Sequence, residues 1–157
     1  MSYTSICRLP PKGDMIKDHV EYGVYRNAWG GAMVIWKSLW EKYCRQSDED
    51  KFPLGGDLEP LWGLTGRDDV ELWEKFLLQV TCDGVIFRSK AIPLLAKCFD
   101  AFTEEHAEAL EGKVWHGVEM AEDLRKLHEE FPEDDVFLIA TSVSGICGAD
   151  NPLYIPE

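Results

Sequence analysis

The chain has 157 residues, 45% of them apolar, and a formal net charge of −13. That apolar content excludes a disordered chain, and the length suffices for one core that needs no stapling metal or disulfide. The charge is uneven: 14 Asp and Glu stand against 3 Lys and Arg from Ala101 to Glu157, but 15 against 13 in residues 1–100, and such a local negative field repels nucleic acid and anionic membrane while attracting basic proteins.

The N-terminal segment MSYTSICRLPPKGD lacks the basic-then-apolar pattern of a secretory signal, and Pro10-Pro11 stops any helix there. Thr4–Leu9 is read as a short strand and Tyr22–Arg26 as another β-prone run. Asn27 is read as the N-cap of a helix whose apolar stripe is Trp29, Ala32, Met33, Trp36, Leu39, Trp40 and Tyr43. Gly30-Gly31 falls in its first turn and costs roughly 1 kcal/mol per Gly relative to Ala. Close packing of another backbone, or a fraying start, explains it.

Residues 46–57 (QSDEDKFPLGGD) form a loop, and a short helix or turn follows around Leu58–Leu64. Asp68 opens a further helix with Glu71 as its capping-box partner and Val70, Trp73, Phe76, Leu77 and Val80 as its buried stripe. Asp83-Gly84 marks a turn before the strand Val85–Arg88, for which Leu77–Thr81 is an alternative hairpin partner. Ser89 caps a helix containing Ile92, Leu95, Cys98, Phe99 and Phe102, with Pro93 in its first turn. A polar helix restarts at Thr103-Glu104-Glu105 and runs to Glu111. Val118–Glu130 is amphipathic, with Val118, Ala121, Leu124, Leu127 and Phe131 on one face, and Pro132 ends it. Val136–Ala140 (VFLIA) reads as a buried strand, and the tail TSVSGICGADNPLYIPE as irregular.

Four to five helices and a few short strands without a βαβ period predict a single α+β domain over residues 1–157, with a small, mostly antiparallel sheet and an acidic C-terminal third at residues 101–157. No apolar run approaches the ~18 residues of a membrane span. With no signal pattern, the expected location is cytoplasmic. The five cysteines, Cys7, Cys44, Cys82, Cys98 and Cys147, are widely spaced without a CxxC, as reduced and partly buried thiols would be.

Motifs that specify a reaction are not found. His19, His106, His116 and His128 form no ligand-spaced pair, and neither Asp48-Glu49-Asp50 nor Glu133-Asp134-Asp135 matches a calcium loop, so no metal or cofactor is expected. TSVSG is not GxSxG. Two segments are candidate ligand contacts. The first is the helix start at Arg26, Asn27 and Trp29, where free N–H groups and an arginine suit a phosphate or carboxylate. The second is the loop after the buried strand, with Thr141, Ser142, Ser144 and Asp150.

The helix carboxylates Glu104, Glu105, Glu108, Glu111, Glu119, Glu122, Asp123, Glu129 and Glu130, extended by Glu133, Asp134 and Asp135, can imitate the charge of nucleic-acid phosphates. The leading expectation is a small non-enzymatic interaction protein of inhibitor, immunity or DNA-mimic type. Its partner would be a basic protein, with a nucleic-acid-handling protein as one class of it, rather than nucleic acid or membrane. The alternatives are a small-molecule or enzymatic site joining Arg26–Gly31 to Thr141–Asp150, and an oligomeric component built on Trp29, Trp36 and Trp40.

Overall fold

One antiparallel sheet organises the chain, in the strand order β2-β1-β4-β3. The structure, a computed structural model, describes residues 3–10, 12, 15–27, 30–82 and 85–140. Strands β1 (Tyr3–Arg8), β2 (Val20–Arg26), β3 (Val85–Arg88) and β4 (Val136–Ala140) lie where the β-prone runs predict them. The short helix α1 (Met15–Asp18) links β1 to β2.

Strand β4 sits between β1 and β3, so both of its edges are paired. Phe137 and Ile139 enter the main core, while Leu138 and Ala140 join Cys7 and Leu9 in a smaller apolar cluster on the opposite face. This explains why VFLIA is uniformly apolar rather than alternating. Arg8 pins β1 to the turn before β4: its guanidinium pairs with Asp135 at 2.7 Å and lies over the Phe131 ring at 4.3 Å.

Helix α2 (Ala32–Leu39) continues into a π-helical turn at Trp40–Cys44. Then come α3 (Glu59–Trp62), a 3-10 turn at Gly63–Gly66, α4 (Leu72–Cys82), α5 (Ile92–Glu105), α6 (Ala107–Leu110) and α7 (Gly117–Glu130). The amphipathic stripes of α2, α4, α5 and α7 meet in one core around Ile35, Leu77, Phe99, Phe102, Leu124 and the sheet residue Phe87. Burying each such side chain stabilises the fold by roughly 1.5–3 kcal/mol. The result is the expected α+β domain.

Several boundaries differ from the sequence reading, because the expected capping side chains are engaged elsewhere. Asn27 does not cap a helix. Its Oδ1 accepts the Thr4 hydroxyl at 2.7 Å in a buried contact, and α2 starts only at Ala32, with Gly31 as N-cap. Gly30 and Gly31 precede the helix, and close backbone approach is the reason for them. Gly30 has φ +91°, and a Cβ on it would meet the Val114 carbonyl oxygen at 2.8 Å. Its own carbonyl accepts the His116 N–H at 2.7 Å.

Asp68 does not open α4. The cap lies three residues on, where the Glu74 carboxylate accepts the Glu71 N–H at 3.3 Å. Leu77–Thr81 belongs to that helix and not to a hairpin. Ser89 is fully buried and faces the end of α7, with His128 Nδ1 at 3.4 Å, while a 3-10 turn leads into α5. The polar helix does not restart at Thr103, whose hydroxyl donates back to the Phe99 carbonyl, and the break falls at His106.

In α7 the inward residue is Met120, and Val118 is exposed. Trp36 is half-buried rather than buried. Its indole N–H donates to Thr81 Oγ1 at 2.9 Å, and its ring stands edge-on to Trp62. Among the described residues no helix is long and apolar enough to cross a membrane.

Candidate functional site

The most exposed part of the sheet is β2. Among the described residues no strand pairs with its outer edge. Val20 and Val24 are each 50% exposed, an unusual degree for sheet valines, and Tyr3 and Tyr22 are exposed beside them. The register gives the reason for this surface. Ile6 faces Gly23 and Cys7 faces Glu21, so Tyr22 is one residue too many and forms a bulge. The bulge places Tyr22 on the helix side, where its ring meets Phe131 edge-on at 5.5 Å.

Helix α7 runs alongside β2. Phe131, which follows its last turn, lies against Tyr22, and the Asp123 carboxylate accepts the buried Tyr25 hydroxyl. Burial, and then that hydrogen bond, hold the Tyr25 phenol far above its ordinary range, so it remains a donor. The spacing of Glu119, Asp123, Lys126 and Glu130 (four, three, four) places them on one stripe of α7, on the β2 side. Three of these four are carboxylates. Lys126 Nζ approaches Asp123 at 3.9 Å and His116 Nδ1 approaches Glu119 at 3.3 Å.

The other acidic residues are not gathered on one surface. Glu122 and Glu129, seven residues apart, look straight out from the back of α7. Glu104, Glu108 and Glu111 are exposed around the α5–α6 break, beside an open cleft of about 560 Å³ lined by Thr103, Leu110, Trp115 and Val118 among others. Asp134 pairs with Arg88, Asp135 with Arg8, and Asp100 with Arg125. The described part of the acidic third is thus split among the α7 stripe, the back of α7, the α5–α6 break and the ion-paired Asp134 and Asp135, and of these only the α7 stripe borders an open strand.

A second polar constellation was invisible in the sequence. Glu74 is fully buried, and its carboxylate accepts from Lys42, Tyr43 and the Glu71 N–H. Lys42 also reaches Glu105. Burial works against the Lys42 charge, but the hydrogen bonds to Glu105 and Glu74 outweigh it, so its proton is held more tightly than usual. Burial and Glu74 likewise raise the Tyr43 phenol. Beside them His106 stacks on Phe102 with centroids 4.4 Å apart, and its Nε2 is buried with no hydrogen-bond partner among the described residues. Burial pushes its pKa down. Around neutrality the lysine is charged and the tyrosine neutral. The network ties the α2 end to α4 and α5.

Of the ligand candidates, Arg26 is exposed at the end of β2, and Asn27 is turned into the protein toward Thr4. Helix α2 starts at Ala32, so Arg26 and Asn27 do not lie in its first turn. Trp29, Thr141, Ser142, Ser144 and Asp150 lie outside the described residues. Trp36 and Trp40 pack inward against Trp62 and Phe52, so their stripe serves the core. Among the described residues no group of His, Cys, Asp and Glu is arranged to hold a metal ion. Cys44 and Cys98 are free thiols, and burial pushes Cys98 up to about 11, which keeps it protonated and unreactive.

Comparison with protein-family models, curated proteins and solved structures finds no match to this chain.

Proposed function

We propose that the protein is a binding module that holds a basic partner protein through the acidic flank of α7 beside β2. The observation that carries this reading is the coincidence of Glu119, Asp123 and Glu130 with the exposed apolar strand Val20–Val24. Charge gives steering and specificity, and apolar area gives retention. An inhibitor or immunity-type role fits such a surface, with a nucleic-acid-handling protein as one class of basic target. Two further features support a binding reading over a catalytic one: Lys42 holds its proton more tightly than usual and the Tyr43 phenol is raised, and the Cys98 thiol is held protonated.

The test separates location from net charge. One variant carries Glu119→Gln and Glu130→Gln, and a control carries Glu104→Gln and Glu108→Gln. Both lose two charges. Polylysine binding, measured calorimetrically at low and physiological salt, is expected to weaken about tenfold in the first and much less in the control. Equal losses would mean that only total charge matters and would overturn the assigned surface.

A further inference from the structure

We infer that the outer edge of β2 accepts an extended, lysine- or arginine-bearing segment of the partner as an added strand, with α7 selecting its charge. This deepens the reading above and rests on the partner being basic. Strand β2 is seven residues long and has neither proline nor lysine; its bulge at Tyr22 blunts one end of the edge and leaves Gly23–Arg26 regular.

The direction of its free backbone groups follows from the ladder. Leu9 N–H donates to Val136 O, across the β1–β4 side. Backbone groups alternate along a strand, so Leu9, Cys7 and Ser5 turn to β4, while Ile6 and Thr4 turn to β2. Ile6 pairs with Gly23 and Thr4 with Tyr25. Val24, between those two partners, therefore presents its N–H and C=O outward, and its side chain is half exposed. An extended segment laid there gains main-chain hydrogen bonds, and its alternate side chains fall on the α7 side and the opposite side.

Charge identifies the occupant. On the α7 side an incoming residue lies next to Tyr22 and Val20, below the stripe of Glu119, Asp123 and Glu130. A second copy of this chain would bring another −13 and the same carboxylate stripe to the edge, and like charges placed together oppose pairing. A segment with basic residues at alternate positions neutralises the stripe. Lys126, already 3.9 Å from Asp123, competes with it for that carboxylate.

The experiment uses the full chain and a capped seven-residue peptide of alternating lysine and valine, matched in length to β2. Binding is followed by calorimetry, and amide hydrogen exchange by NMR. On saturation the Val24 amide is expected to exchange at least about tenfold more slowly, because a donor now facing water becomes hydrogen-bonded. Lys126→Gln is expected to tighten the peptide about two- to threefold, and Val24→Lys to weaken it about tenfold. Leu94→Lys makes the same charge change at an exposed position on α5 and serves as the control for Val24→Lys. If the peptide binds but Val24 exchange is unchanged, or if Val24→Lys and Leu94→Lys weaken it equally, strand addition is overturned and the basic-partner reading stands. If polylysine binds and the peptide does not, strand addition is again overturned. If neither binds, both readings fall together.

Discussion

Glu74 shows how far one residue's role depends on partners remote in sequence. Its carboxylate has no contact with solvent and is held by Lys42, Tyr43 and its own helix start. Removing it strands a lysine and a phenol, but Lys42 keeps a third of its side chain in water and can turn outward. Glu74→Ala should therefore cost about 2–3 kcal/mol, the range for hydrogen bonds to a charged group, rather than the larger penalty of a fully enclosed pair. Glu105→Gln breaks the exposed arm of the same lysine and should cost at most about 1 kcal/mol. Urea unfolding of the two variants checks this, and equal losses would show that the buried arm has no special weight. His106 predicts a pH effect. Burial depresses its folded-state pKa below the ordinary 6.5, so the unfolded chain binds the proton more tightly. This contribution is fully present above pH 6.5 and is lost as pH falls through that value toward the folded pKa. Thermal melts of wild type and His106→Gln at pH 7.5 and 5.5 should differ in slope, the variant losing less stability on acidification. An identical slope would place the titrating group elsewhere.

At the scale of elements, period and breakers located the strands and the four longer helices, because those signals arise from burial on one face, which the fold preserves. The starts of the helices were legible only in part. Asn27 and Ser89 are good caps by residue type, yet Thr4 and His128 claim their side chains, and such contacts span 23 and 39 residues. The break at His106 was hidden for a similar reason. Carboxylates crowded at the end of α5 oppose the helix dipole, and Lys42, brought in from the π-helical turn, offsets this at Glu105. For the candidate surface, the carboxylates were evident by their numbers, but β2 beside α7 was not, since the Tyr25–Asp123 contact joins residues 98 apart. Gly117 carries a prediction at this scale. It opens α7, where alanine is the better helix former. A Cβ there would collide with the Trp115 ring, which donates to Thr103 Oγ1 at 2.8 Å and packs on Phe102. Gly117→Ala should therefore destabilise the fold, by about 1–3 kcal/mol as in other overpacked sites, and shift the tryptophan fluorescence. A stabilised variant would show that Trp115 moves aside freely.

For the molecule as a whole, charge acts on folding and on binding in opposite directions. Several of the 16 basic residues are already committed to local pairs, such as Arg8 with Asp135, Lys42 with Glu74 and Arg125 with Asp100, so the excess carboxylates repel one another without compensation. Glu104, Glu108 and Glu111 are not consecutive on one helix, because the chain breaks at His106, so their repulsion acts through space across the α5–α6 surface rather than along a helix stripe. Exposed charges separated by more than about 8 Å are largely screened at physiological salt, whereas the partly buried Lys42–Glu74 pair is screened far less. Raising NaCl from low to physiological concentration should therefore remove more repulsion than attraction, and the melting temperature should rise. The same salt should weaken a basic partner's hold on the α7 flank, since attraction across that surface is equally exposed. The two trends, measured in one buffer series by calorimetric melts and by polylysine titration, should have opposite signs. A melting temperature that falls with salt would show that native ion pairs outweigh the repulsion, and the acidic surface would then be a balanced part of the fold rather than an uncompensated field awaiting a partner.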